Sequence, residues 1–319
     1  TSKKNEKRTA MKRQWVLEEL IENFVLVPKE QAILPIDVTN ANAHNRLGFA
    51  VMLKFFQLEG RFPYHLGEVP HQVTEFIAHQ LGLEGIKLGS YNLSRSNRVH
   101  QRHRIQIREF LGFRRMTKED KAAIKQWLVN EVLPGAPHFE GLKDQLNSYL
   151  LHLQLERPST QELSRLIHSA SRTHEQIFCG SIADRIPATA CRKMDALLST
   201  KVSLEDEAQF RQSEFNRLKS NPGRLGLKSL LREVGKLESI RQIDLPANLF
   251  RDVSGKLLQA YRRRASADLA GRLRRHRAPI RYTLIAAFCH QRLQEITDNL
   301  VELLVQIVHR LSINAERRV

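Results

Sequence analysis

Residues 91–115 read YNLSRSNRVHQRHRIQIREFLGFRR. The stretch holds seven arginines (Arg95, Arg98, Arg102, Arg104, Arg108, Arg114, Arg115), two histidines (His100, His103) and a single acid, Glu109. The spacing of Ile107, Phe110 and Leu111 predicts one buried stripe of an amphipathic helix, with Ser94 and Ser96 as candidate N-caps. The remaining positions form a face that is almost wholly cationic. A row of guanidinium groups at helical pitch suits a DNA major groove, where phosphates line the walls and base edges form the floor. The competing reading is a solvated basic surface with no ligand, but such a helix ordinarily mixes its charges.

Roles divide by reach. In the helix expected over 94–108, Arg95, Asn97, Arg98, Arg102 and Arg104 are candidate base readers. Arginine can bond guanine O6 and N7 together, and asparagine can serve adenine in the same bidentate way. Arg108, Arg114 and Arg115 are candidate phosphate contacts, which position a helix without reading sequence. Ser96, His100 and His103 join the DNA-facing set as hydrogen-bonding side chains.

Outward from this stretch the chain reads as helices separated by proline and glycine. Trp15, Leu17, Leu20, Ile21 and Phe24 recur with helical period, and Pro28 and Pro35 interrupt them. NRLGFAVMLKFFQL (45–58) is apolar nearly all round and is expected to be the central helix of a first bundle, ended by Gly60 and Pro63. A helix over 68–80 with Pro70 in its first turn follows, then a glycine-rich link to the basic helix. That order is expected to form a helix-turn-helix arrangement with the basic helix as reader. A helix over 118–133 would close the unit before Pro134–Pro137.

Ser159 or Thr160 is expected to cap the next helix, with Glu162 in its first turn. A helix restarts at Pro187, and Asn221-Pro222-Gly223 marks a turn. In the segment after that turn, Arg224, Lys228, Arg232 and Lys236 lie four apart on one face. Leu227, Leu230, Leu231 and Val234 are expected on the other. Arg224, Lys228 and Arg232 are the candidate contacts of a second DNA-binding domain. Eight arginines against one acid fill 262–281. A long helix of about 50 Å then runs from roughly Tyr282 with a seam at Leu293, Ile296, Leu300, Leu303, Ile307 and Leu311. It reaches Val319 without a stop signal, which reads as an interruption inside a larger protein.

The expected organisation is all-α: a basic tail (1–12), a first helical domain (13–137), a second (138–250), and an arginine-rich linker opening a dimerisation helix (251–319). The 319 residues carry 51 Lys and Arg against 34 Asp and Glu, a net +17. A surplus of that size calls for a polyanion: DNA, RNA or an anionic membrane surface. The most apolar run, 300–308, is broken by Glu302 and Gln306, so no transmembrane helix is expected. Nor is a signal peptide. Cys179, Cys191 and Cys289 form no C-x-x-C pair, which fits buried thiols in a reducing, cytoplasmic setting.

Catalytic patterns are missing. His71, Glu75 and His79 lie four apart, yet the zincin spacing H-E-x-x-H is absent and no further ligand stands near in sequence. No phosphate-cradling glycine loop or nucleophile elbow occurs. The aspartates are scattered with no sheet to converge them. Neither catalytic residues nor a metal site are expected.

NRLGFAVMLKFFQLEGRFP (45–63), HRIQIREFLGFR (103–114), LKSNPGRLGLKSLLREVGKLESIRQIDLP (218–246) and the run 281–319 resemble Tn3-family transposases. The resemblance extends from about Met11 to Val319, in the family's order. It implies helical domains that bind the terminal inverted repeats of a transposon, with self-association in the full-length protein. It also implies that the Mg-dependent acidic triad belongs to an RNase H-like domain further along. Two rivals remain: an RNA-binding helical protein, and an assembly scaffold with secondary DNA binding. A shortage of aromatics for base stacking speaks against the first.

Overall fold

The computed structural model describes residues 14–35, 40–91, 93, 97–135, 139–199, 213–223 and 226–316. Among them the chain is all-α, without strands; the extended pairing found is an isolated parallel bridge between Arg114 and Leu155. The basic tail lies outside the described residues. Two compact units emerge, Thr1–Ala122 with Phe139–Arg165, and Ala123–His138 with Leu166–Val319. Residues 139–165, which the sequence reading gives to a second domain, thus pack in the first unit.

The first unit contains α1 (Leu17–Phe24), α2 (Pro28–Ala32), α3 (Asn40–Glu59), α4 (His71–Gln80), α5 (Arg98–Leu111), the start of α6 (Lys118–Trp127), α7 (Phe139–His152) and the first turns of α8 (Thr160–Ala183). Its centre is α3, as its all-round apolar sequence requires. Leu47, Phe49, Leu53, Phe55 and Phe56 are fully buried, and α3 packs against α1, α4 and α5. Each such side chain contributes about 1.5–3 kcal/mol by leaving water. Gly60 and Gly82, both at positive φ, lie just beyond α3 and α4. The expected start at Glu68 moves to His71, with a separate 3-10 turn over Leu66–Glu68. The Glu68 carboxylate is used elsewhere, on Arg61 at 2.6 Å and the Tyr64 amide at 2.9 Å.

One glycine of α3 is required by close packing. The Tyr91 ring lies against Gly48 so tightly that a Cβ there would stand 2.3 Å from a ring carbon. Gly48→Ala is therefore expected to displace Tyr91 and cost about 1–3 kcal/mol. Urea unfolding checks this: an unchanged midpoint would mean that the ring can move away freely.

The second unit holds the rest of α6 and α8, then α9 (Ala188–Leu197), α10 (Glu214–Lys219), α11 (Leu227–Arg241), α12 (Gly255–Ala267), α13 (Ala270–Arg275) and α14 (Ala278–Glu316). The helix expected over 118–133 ends at Trp127 and widens into a π turn over Leu128–Val132 and a 3-10 turn over Leu133–Gly135. Pro134 has no N–H to return to the carbonyl four residues back, so the α ladder cannot continue there. Ser159, rather than Thr160, caps α8: its hydroxyl accepts from the Glu162 amide at 3.1 Å.

At 39 residues α14 is about 58 Å long. Leu284 to Cys289 are buried without a break because α9, α11 and α12 pack around that part of it. Beyond, Ile296 and Leu303 continue the expected seam inward, while the Leu311 side chain lies outside the described residues. Cys179 and Cys289 are buried free thiols, and Cys191 is half-buried.

Candidate nucleic-acid interface

Local chemistry fixes where α5 begins and ends. Asn97 Oδ1 accepts from the Val99 and His100 amides at 2.9 and 3.2 Å, so Asn97 is the N-cap and its oxygen is spent inside the protein. The sequence instead favours Ser94 or Ser96 for that role and Asn97 as a base reader. Ser94, Arg95 and Ser96 lie outside the described residues. Gly112 closes the helix in the left-handed conformation, φ 73°, with its amide donating to the Arg108 and Glu109 carbonyls. The chain that follows is tied down by backbone: Arg114 N donates to Gln154 O at 3.0 Å, and Glu156 N to Arg114 O at 2.8 Å.

The inward face of α5 is less apolar than its sequence suggests. Ile107 is fully buried, but its companions are His100, His103 and Arg108, while Phe110 is exposed and Leu111 only half-buried. Glu156 explains the reversal. One of its oxygens accepts from Arg104 at 2.7 Å and the other from Arg108 at 2.9 Å. The Arg104 guanidinium also lies over the Phe62 ring, 4.6 Å from its centroid. Burial lowers the Arg108 pKa, and the carboxylate beside it acts the other way. Arg104 and Arg108 are thereby drawn into the fold, although the sequence placed both on the DNA-facing side.

His103 is a core residue. Its Nδ1 and the Tyr91 hydroxyl are hydrogen-bonded at 2.8 Å, and its ring meets Phe49 edge-on with centroids 5.0 Å apart. Burial, then the charges of His100 and Arg102, lower its pKa from 6.5 to about 4. It is neutral at pH 7 and supplies no charge to a phosphate. The unfolded imidazole protonates near pH 6.5, so between there and about pH 4 the unfolded chain binds the extra proton. Stability falls as pH falls through that window, by roughly 3 kcal/mol at its lower end. Urea midpoints at pH 7.5 and 4.5 are expected to differ less for His103→Gln than for the wild type. Equal acid losses would show that this imidazole titrates normally.

Arg98, Gln101, Arg102, Ile105 and Gln106, all exposed on α5, line a shallow trough of about 510 Å³; Val99, Glu109 and Phe110 are the other exposed residues of the helix. Neither Arg98 nor Arg102 has a carboxylate partner among the described residues. Past the helix, Arg114 is held by both oxygens of Asp120, the longer contact at 2.8 Å, while Arg115 is exposed. Asp120 in turn is held far below the usual carboxylate range by Arg114 first and the Thr117 amide next.

In the second unit the expected faces of α11 hold only in part: Lys228 and Arg232 are exposed and Leu230 and Val234 half-buried, but Lys236 is buried and two leucines are not. Leu227 and Leu231 are 68% and 60% exposed, on the same outer side as exposed Lys228 and Arg232. Ser229, Glu233, Lys236, Leu237 and Ile240 turn inward. Lys236 is buried because the chain after α10 needs donors: it gives hydrogen bonds to Ser220 O at 2.8 Å and Glu233 at 2.7 Å. Arg292 of α14 completes the set, reaching Leu218 O at 2.9 Å and Ser220 O at 2.5 Å. Arg224 lies outside the described residues.

Of the 262–281 arginines, four serve ion pairs within the unit: Arg262 with Glu295, Arg264 with Glu175, Arg272 with Asp268 and Arg281 with Asp195. Arg263, Arg274, Arg275 and Arg277 stay exposed.

Among the described residues no three His, Cys, Asp or Glu side chains come together to hold a metal; His71 and Glu75 form an exposed pair at 3.1 Å. No described helix is long and apolar enough to cross a membrane.

Residues 1–170 match a protein family described as a domain of unknown function, DUF4158. The chain is also 22% identical over 292 residues, 88% of its length, to the transposase for transposon Tn1546 of Enterococcus faecium. It is 22% identical over 271 residues, 84% of its length, to the transposase for transposon Tn3926 of Escherichia coli. It spans 29% and 26% of those two proteins. With more than half of its residues matched, the chain belongs to the DUF4158 family, a domain found in Tn3-family transposases, and with it to that transposase family.

Proposed function

We propose that this chain binds double-stranded DNA at the terminal inverted repeats of a transposon, as the end-recognition part of a replicative transposase. One observation carries the reading: α5 keeps Arg98 and Arg102 exposed and without carboxylate partners, while other arginines around them are tied to Glu156 and Asp120. Two guanidiniums one helical turn apart, displayed without carboxylate partners, form the kind of local positive stripe that a polyanion can occupy. At 14 residues α5 is about 21 Å long, enough to lie in a major groove about 12 Å wide. Arg98 and Arg102 are the base readers of this account, with Gln101 and Gln106 beside them as amides able to serve adenine. Arg115 contacts the backbone, and Lys228 and Arg232 of α11 supply a second contact. The helix-turn-helix-like arrangement, with α5 as reader, is part of the same proposal.

Metal-dependent strand cleavage, the work of a whole transposase, is assigned to other parts of that protein. Self-association is assigned to α14, where Val301, Leu304, Val305 and Val308 are exposed at helical spacing. Hydroxyl-radical footprinting on a duplex carrying a transposon end tests the reading. A protected tract inside the repeat is expected. Uniform weak protection along the whole duplex, or stronger competition by structured RNA than by the repeat, would refute it.

A further inference from the structure

Beside the trough on α5 the first unit has a second, deeper recess of about 320 Å³. Four cations line it, Arg104, Arg115, Lys121 and Arg157, with two carboxylates, Glu156 and Glu162. The carboxylates do not neutralise it. Glu156 is shared between Arg104 and Arg108, which leaves that trio with a positive surplus. Lys121 and Glu162 balance one another, and Arg157 is balanced by Glu59 at 3.3 Å. Arg115 has no carboxylate partner among the described residues, so a second positive charge is unmatched. The crowding is visible in Arg108, whose protonated form is disfavoured by burial and, among smaller effects, by Arg115 and Arg104.

A cavity of this composition repels cations, and its apolar side chains are confined to Met116 and Pro158. It contains no Phe, Tyr or Trp on which an extruded base could stack, which argues against a flipped nucleotide. Guanidinium and ammonium donors around an unneutralised centre suit a phosphate oxyanion. The volume admits one phosphate with its flanking sugar oxygens and ordered water. Position supplies the source of that phosphate, because Gln101 lines both this recess and the trough formed by Arg98, Arg102, Ile105 and Gln106. A strand lying over the stripe therefore runs next to the recess at Gln101.

We propose that this recess seats one backbone phosphate of the DNA whose bases α5 reads, gripped chiefly by Arg115 with Arg104, Lys121 and Arg157 around it. The proposal rests on the DNA-binding reading and deepens it: the phosphate seat sets how far α5 enters the groove, and Arg98 and Arg102 read what is there.

The test uses the full chain and fluorescence anisotropy on repeat and scrambled duplexes across a salt series. Arg115→Ala is expected to weaken both duplexes alike, about fivefold to tenfold near physiological salt. It should also reduce the slope of log affinity against log salt by about one. Lys121→Ala is expected to act in the same direction more weakly. Within a set of repeat duplexes each carrying one neutral methylphosphonate, one position should weaken the wild type and leave Arg115→Ala unaffected. If the wild type binds duplex with preference for the repeat, but Arg115→Ala matches it at every salt and no such position exists, the phosphate seat is wrong while the DNA reading stands. If the wild type shows no preference for the repeat, and Arg102→Ala changes nothing, the underlying reading fails first. A third arm titrates inorganic phosphate against thermal unfolding. Saturable stabilisation at micromolar phosphate, lost in Arg115→Ala, would assign the recess to a free anion and overturn the backbone assignment.

Discussion

Replacing Arg98 and Arg102 together by alanine is expected to cut the preference for a transposon end sharply while leaving the melting temperature unchanged. Both side chains are exposed and neither holds another element of the fold, so their loss costs little stability. Each guanidinium that bonds a base edge contributes about 1–3 kcal/mol of discrimination, so the pair together should lower affinity for the repeat at least about thirtyfold. The scrambled duplex should lose only what two phosphate-range charges supply. Arg104→Ala is expected to behave differently, although the sequence treats Arg102 and Arg104 as equivalent. Arg104 lies on Phe62 and Glu156, so its removal should lower stability, with a smaller change in repeat preference. Side-by-side thermal melts and anisotropy on the wild type and the two variants separate the two effects. A destabilised Arg98, Arg102 double variant would show that the stripe is part of the scaffold.

The second large effect is on folding. Glu156→Ala is expected to destabilise the first unit by about 3–5 kcal/mol, because it leaves two guanidiniums in the protein interior without their shared counter-ion. The side chains of Arg104, Arg108 and Glu156 are 18%, 9% and 13% exposed, so solvent can replace only part of what is lost. The backbone bond from Glu156 N to Arg114 O survives the substitution, which confines the change to the ion triad. Urea denaturation followed by Trp fluorescence measures it. Glu156→Gln should cost less, since the amide oxygen still accepts from one arginine. A loss below about 1 kcal/mol for Glu156→Ala would mean that the triad is solvated and does not hold α5 in place.

Much of the helical layout was legible because it rests on short-range rules. The all-round apolar run of α3, the breaks at Gly60 and Pro187 and the seam of α14 follow from periodicity and from residues that cannot continue a helix. What was not legible depends on partners far away in sequence. Arg104 and Arg108 point inward because Glu156, about fifty residues later, is carried to them by the bridge between Arg114 and Leu155. Lys236 turns inward because its ammonium group donates to the carbonyl of Ser220, in the chain after α10, and to the Glu233 carboxylate. That single inward lysine goes with the exposure of Leu227 and Leu231, against the amphipathic pattern. Asn97 displaced the expected serine caps by being the residue next to the first turn. On α5, therefore, the sequence identifies the helix, while the tertiary structure sorts its arginines into those that hold it and those that are displayed.

If displayed arginines on a helical scaffold select one duplex end, a scrambled duplex must bind far more weakly than a terminal repeat. The most direct measurement is the ratio of dissociation constants for scrambled and terminal-repeat duplexes, taken with the purified chain at 0.15 M salt. A ratio of about a thousandfold or more is expected, the range of specific DNA-binding proteins. A ratio near one would contradict the account, whatever the absolute affinity.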